Sequence, residues 1–160
     1  MSLLSSDLLA MIRGGVSVIV AARDAALRPS VMRAVGSLVS DDGRTITVFL
    51  ARPQSRQLLQ DLEAGSPIAV VFSQPSTHRS VQLKASRVAL RPAQPAEELL
   101  LARYREAMER ELANIVPDPA FTRAMLAARA DQLVAVTFAP EQAFEQTPGP
   151  RAGLPMGTGP

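Results

Sequence analysis

The sequence predicts a mainly β, α+β domain in which five or six antiparallel strands close into a small barrel with helices packed around it. Three observations carry this expectation. Runs of β-branched residues with strand-like alternation recur between Val16 and Phe138, an Asp-Gly pair separates two of them, and apolar residues between Ala96 and Ile115 fall at helical spacing. The 160 residues fit one domain, and a chain of that length buries roughly 70% of its unfolded surface without a covalent staple.

The elements follow in order. Ser5, Ser6 and Asp7 offer caps to a short helix through Leu8, Leu9, Met11 and Ile12, which Gly14-Gly15 stops. Val16, Val18 and Val20 begin a strand that breaks at Arg23-Asp24. Val31 to Val39 and Thr45 to Leu50 are two strands joined by a tight hairpin in which Gly43 supplies the left-handed position. Ser55 as a cap, Leu58, Leu59 and Leu62 on one face, and Gly65 beyond the end describe a two-turn helix. Pro67 to Ser73 reads as a strand buried on both faces, and Val81, Leu83 and Ala85 as an alternating one. The alternation resumes one residue late at Val88 and Leu90, so a β-bulge is expected at Ser86-Arg87. A long helix over Ala96 to Ile115, a second from Asp118-Pro119 through Ala130, and a strand from Leu133 to Phe138 complete the list. The domain is taken as residues 1–146. Residues 147–160, with four Pro and four Gly, are expected to be an extended or disordered tail.

Apolar residues are 47% of the chain but aromatics only 4%, so the core must be aliphatic. Without cysteine there are no disulfides, thiolate metal sites or thiol nucleophiles, and the single His78 rules out a cage of two imidazoles; no metal site is expected. No stretch approaches the ~20 apolar residues of a membrane span, and no basic segment leads into an apolar run near the start, which together suggest a cytoplasmic protein with no membrane partner. Charge is segregated: residues 13–56 and 64–96 each sum to +4 and residues 97–146 to −4. There is no Lys/Arg run and little aromatic surface for bases, so nucleic acid is not expected as a partner. All but one of the 17 cations are arginine, suited to planar contact with phosphate or carboxylate.

Three stretches, Thr47 to Gln57 (Thr-Val-Phe-Leu-Ala-Arg-Pro-Gln-Ser-Arg-Gln), Pro67 to Phe72 and His78 to Ala85, stand in the succession seen in one family. Together with the opening Pro29, Ser30, Arg33 and Val35 and a closing Glu145-Gln146-Thr147-Pro148-Gly149-Pro150, this succession resembles the pyridoxamine 5'-phosphate oxidase-like, FMN-binding split-barrel proteins over roughly residues 8 to 150. The resemblance implies a six-stranded antiparallel split β-barrel with peripheral helices, a homodimer with FMN at the subunit interface, and an oxidoreductase acting on a small-molecule substrate by hydride transfer through the flavin. It implies cofactor contacts from Arg33, Phe49, Leu50, Ser55, Arg56, Gln57, Arg79, Ser80 and Gln82. Four places depart from the family pattern: Leu38 replaces a lysine, Phe49-Leu50 a Tyr-Thr pair, Gln57 a lysine and Ser80 a glutamine.

Ser55 and Arg56 would meet the FMN phosphate with helix N–H groups and a guanidinium, Arg33 would add a second cation, and Ser80, Gln82 or Arg79 would reach the isoalloxazine edge or the ribityl chain. Taken one at a time, the same residues serve equally well as a helix cap and solvated cations. Flavin chemistry demands no acid or base from the protein, and no catalytic residue is singled out. His78 is open to a role as proton donor or haem ligand. Two alternatives remain: the same fold binding haem or a deazaflavin, and a cofactor-free dimeric binding or structural module.

Overall fold

The computed structural model describes residues 3–156. Among them are four α-helices and nine strands: α1 Ser6–Arg13, β1 Ser17–Arg23, β2 Pro29–Arg33, β3 Gly36–Val39, β4 Ile46–Ala51, α2 Arg56–Glu63, β5 Ile68–Ser73, β6 Ser80–Ala85, β7 Ala89–Pro92, α3 Glu98–Leu112, α4 Pro119–Met125, β8 Leu133–Phe138 and β9 Gln142–Glu145. Every strand pairing is antiparallel. The strands form two sheets, ordered β2-β1-β5-β6-β9 and β3-β4-β8-β7, rather than one closed six-stranded barrel.

Two crossings explain the difference. The expected single strand Val31 to Val39 is cut at Ala34-Val35, where the Ala34 N–H donates to Val18 on β1 and the next N–H, of Val35, donates to Phe49 on β4. Consecutive residues therefore belong to different sheets. The phase slip at Ser86-Arg87 is the second crossing: β6 pairs in the first sheet and β7 in the second, so the chain changes sheet instead of bulging within one.

The inner faces enclose an aliphatic core. Val18, Val20, Val48, Leu50, Val70, Leu83 and Val136 have no exposure, and Leu8 and Ile12 of α1 and Leu58, Leu59 and Leu62 of α2 pack into the same cluster. Each buried leucine contributes about 2 kcal/mol of transfer free energy, which is what holds a helix as short as α2 in place. A smaller cluster lies on the outer side of the four-stranded sheet, where Leu101 of α3 covers Val35, Phe49, Ala51, Leu133 and Ala135.

The β3–β4 hairpin is the expected one, with Gly43 at φ +70° and Ser40 and Thr45 tied through the Ser40 hydroxyl. The expected helix through Ala130 ends at Met125, followed by a turn of 3-10 helix at Ala130–Gln132. Four-residue β9 was not expected. Beyond it, residues 147–156 fold back: Gly153 and Met156 donate to Glu145 and Ala143, and Phe144 bridges to Pro155. Among the described residues, no helix is long and apolar enough to cross a membrane, and no group of three or more His, Cys, Asp or Glu could hold a metal ion.

Candidate functional site

Strand alternation sends every second residue of the five-stranded sheet outward, and register aligns those residues into rows. One row reads Arg33, Ile19, Val71, Gln82, Phe144; at one end of the face lies Ser17, Ser73, Ser80. Helices α3 and α4 overhang the serine end and close a cleft of about 440 Å³. That volume lies within the range of small-molecule sites.

The floor of the cleft is polar. Arg33 donates from Nη1 to Ser17 Oγ at 2.5 Å, and Ser80 Oγ stands 2.8 Å from Ser73 Oγ and 3.0 Å from the His78 carbonyl oxygen. The facing wall is apolar, built from Met108 and Leu112 of α3 and Phe121 and Met125 of α4. The returning tail fixes one edge: the Ser80 N–H donates to Thr147 Oγ1 at 3.0 Å, the Gln146 N–H donates to the Ser80 carbonyl, and Gln146 and Pro148 border the cavity. Behind it the buried Tyr104 hydroxyl donates to the Val16 carbonyl at 2.6 Å. Burial pushes this phenol well above its usual pKa, and the positive Arg33 draws it only partly back.

The nine expected site residues do not gather in one cavity. Arg33 and Ser80 share the cleft, and Gln82 points from the same sheet face one row away. Phe49 and Leu50 have no exposure, backbone included, so the expected contacts from them are not available: β4 is covered on both faces and flanked by β3 and β8. Ser55 stands at the N-cap of α2 but does not cap it: its side chain bonds none of the first-turn N–H groups, and its Oγ, on a residue 2% exposed, has no hydrogen-bond partner. Arg56 is exposed and makes no ion pair among the described residues. Gln57 is spent on Asp61 Oδ1 at 2.8 Å, and Arg79 on Asp7 Oδ2 at 2.5 Å. His78 lies at the rim of the cleft in the left-handed region, φ +59°.

Sequence reasoning missed Ser17, Ser73, Gln146 and the helical wall. Ser17 is an outward position of an alternating strand, a signal that was present; Ser73 ends a run expected to be buried on both faces, whereas β5 alternates buried and half-buried residues because only one face of its sheet meets the core, and register aligns both serines with Ser80.

The fold can be set beside solved structures. A candidate pyridoxamine 5'-phosphate oxidase from Lactobacillus delbrueckii is 15% identical with a TM-score of 0.57, the match covering 88% of this chain and 93% of that one. An F420 reductase is 11% identical with a TM-score of 0.57, covering 88% of this chain and 98% of the other. A pyridoxamine 5'-phosphate oxidase-related, FMN binding protein from Nostoc punctiforme is 12% identical with a TM-score of 0.50, covering 89% and 82%. No family model and no curated protein matches the sequence. Over nearly its whole length, then, the chain has the fold of pyridoxamine 5'-phosphate oxidase-like proteins, the group its sequence resembles.

Proposed function

We propose that this chain is a cytoplasmic, homodimeric oxidoreductase that binds FMN on the outer face of the five-stranded sheet, with the cofactor between subunits. The observation that carries the reading is the shared cleft of Arg33 and Ser80, with Gln82 on the same face: a guanidinium, hydroxyls and an amide beside an apolar wall. FMN presents the matching groups, a dianionic phosphate, a hydroxylated chain and a planar ring edged with acceptors and one donor.

A second observation supports the fit. The first turn of α2 has no side-chain cap, the buried Ser55 Oγ is orphaned, and Arg56 follows at the surface. A phosphate there would receive helix N–H groups and a charge-assisted contact. Bound FMN would supply hydride acceptance and return. The residues of the chain bind and orient: Arg33 and Arg56 neutralise negative charge, Ser80 and Gln82 hydrogen-bond polar edges, and Met108, Phe121 and Met125 exclude water.

A second reading keeps the cleft and substitutes a deazaflavin. It is favoured by the full burial of Phe49 and Leu50 and the engagement of Gln57, which leave fewer FMN contacts than the resemblance implies, and by the fold likeness to an F420 reductase. Visible absorption of freshly purified protein, followed by parallel titration with FMN, F420 and haem, separates these readings. Saturable, stoichiometric FMN uptake is expected. Uptake of F420 alone moves the assignment to the deazaflavin, and binding of none sinks both in favour of a cofactor-free module.

A further inference from the structure

We infer that a cavity between the N-terminal half of α3, the end of α4 and the start of β8 is a binding site for a monocarboxylate with an aliphatic body, and that Arg105 holds the carboxylate. The cavity measures about 540 Å³ and is bounded by Leu101 of α3, Leu126 just after α4 and Leu133 of β8. That volume is ample for a small molecule. The cavity shares no lining residue with the cleft over Ser17, Ser73 and Ser80, so the inference goes beyond the flavin reading and stands without it.

Charge is the first argument. Among the described residues four arginines are half-buried: Arg33, Arg79, Arg91 and Arg105. The first three each have a partner, in Ser17, Asp7 and Glu97. Arg105 has neither hydrogen bond nor ion pair among the described residues, and it lines the cavity. A guanidinium drawn from water without a partner is costly, and its fork of donors fits a carboxylate bidentately. The remaining charges of the lining favour a ligand with a single negative charge. Arg123 is spent on Glu109 and Asp131 on Arg129, while Glu98 stands as a free carboxylate about two turns before Arg105 on the same helix. Beside Glu98 and Asp131, a dianionic phosphate is held less well than a carboxylate.

The lining is the second. Its apolar part is leucine, alanine and proline, with no aromatic side chain on which a flat ring could stack. That separates its ligand from a flavin. The space exists because Leu126-Ala127-Ala128-Arg129-Ala130 stays out of the helix. Most of these residues are strong helix formers, yet α4 stops at Met125, and Arg129 turns to donate to both carboxylate oxygens of Asp131, at 3.1 and 2.8 Å. Ala127, Ala128 and Ala130 then line the cavity with side chains too small to fill it. Well-packed proteins leave few such voids, and a local preference overruled by the fold is expected at functional sites.

The test uses the full chain, with dissociation constants from titration calorimetry for octanoate, naphthoate, neutral octanamide and octyl phosphate. Octanoate is expected to bind saturably, with octanamide about tenfold weaker and neither naphthoate nor octyl phosphate tighter. Arg105→Gln should lose about tenfold for octanoate, while Arg103→Gln, exposed on the same helix and outside the cavity, should lose nothing. Ala128→Phe fills the cavity from an exposed position and should abolish octanoate binding with the melting temperature unchanged or raised. The proposal is overturned by failure of octanoate to bind at millimolar concentration, by equal binding of octanamide, or by tighter binding of naphthoate or octyl phosphate. It is equally overturned by an octanoate affinity indifferent to Arg105→Gln or Ala128→Phe. FMN titrated into the same proteins keeps the readings apart: a chain that takes octanoate but no FMN loses the flavin reading and keeps this one.

Discussion

The hydroxyl of Tyr104, in the middle of α3, donates to the backbone carbonyl of Val16, the residue before β1, at 2.6 Å. This buried bond joins parts of the chain 88 residues apart and moors the long helix that roofs the cleft. Tyr104→Phe keeps the ring and strands the Val16 carbonyl. A loss of about 1 to 3 kcal/mol is expected in urea unfolding. An unchanged midpoint would mean that the carbonyl finds another donor.

The same junction depends on Gly15. It has φ +76°, and a Cβ there would lie 2.3 Å from Ala107 Cβ and 3.0 Å from the backbone of Ala107 and Met108. Gly65 has a similar need, φ +92°, but open space around it. Gly65→Ala should therefore cost only the strain of the left-handed backbone, about 1 to 2 kcal/mol. Gly15→Ala adds a clash with the α3 backbone and should cost about 2 to 5 kcal/mol. Denaturation of the two variants side by side measures the difference, and equal losses would show that α3 yields.

Glu97, buried at the start of α3, accepts from Arg91 Nη1 at 2.9 Å and from the Gln94 N–H at 2.7 Å. The hydrogen bond from Arg91 holds its pKa below the ordinary 4.5; burial opposes this, and the Gln94 N–H and the charge of Arg91 assist. A carboxylate depressed in the folded state adds stability that is present above pH 4.5 and lost as pH falls through the lower folded value. Glu97→Gln should lower stability at pH 7 by about 1 kcal/mol and make its decline below pH 4.5 shallower. Parallel acid limbs in wild type and variant would dismiss the pair as a contributor.

Ser55 and Arg56 allow a test of the phosphate assignment in which stability and binding move apart. An orphaned buried hydroxyl costs free energy, so Ser55→Ala should leave the protein as stable or more so. If the first turn of α2 holds the FMN phosphate, the same variant binds FMN more weakly. Arg56→Ala should weaken it by about 1.5 to 3 kcal/mol, roughly 10 to 150-fold, since a charge-assisted contact is lost. An FMN dissociation constant indifferent to both substitutions removes this helix end from the site.

Local structure was legible wherever a short-range rule is decisive. Leu133–Phe138 is a strand with the bounds its apolar run indicates, and the Asp42-Gly43 turn closes as the left-handed preference of glycine demands. Where two long-range outcomes share one local pattern, sequence could not choose. A slip in alternation at Ser86-Arg87 looks the same whether a strand bulges or changes sheet, and β9, only four residues long, is too short for a period to stand out.

Composition and alternation by themselves determined the aliphatic core, the antiparallel strands, the absence of cysteine chemistry and the two-residue rhythm that puts Ser17, Ser80 and Gln82 on outward positions. Only the tertiary structure decided which of these residues meet. Pairing order brings β2, β1, β5 and β6 side by side, α3 and α4 close over one end, and Phe49 and Leu50 are withdrawn into the interior. The physical reason is that a side chain's face follows from its position along one strand, whereas its neighbours across the sheet are set by hydrogen bonds between segments up to tens of residues apart.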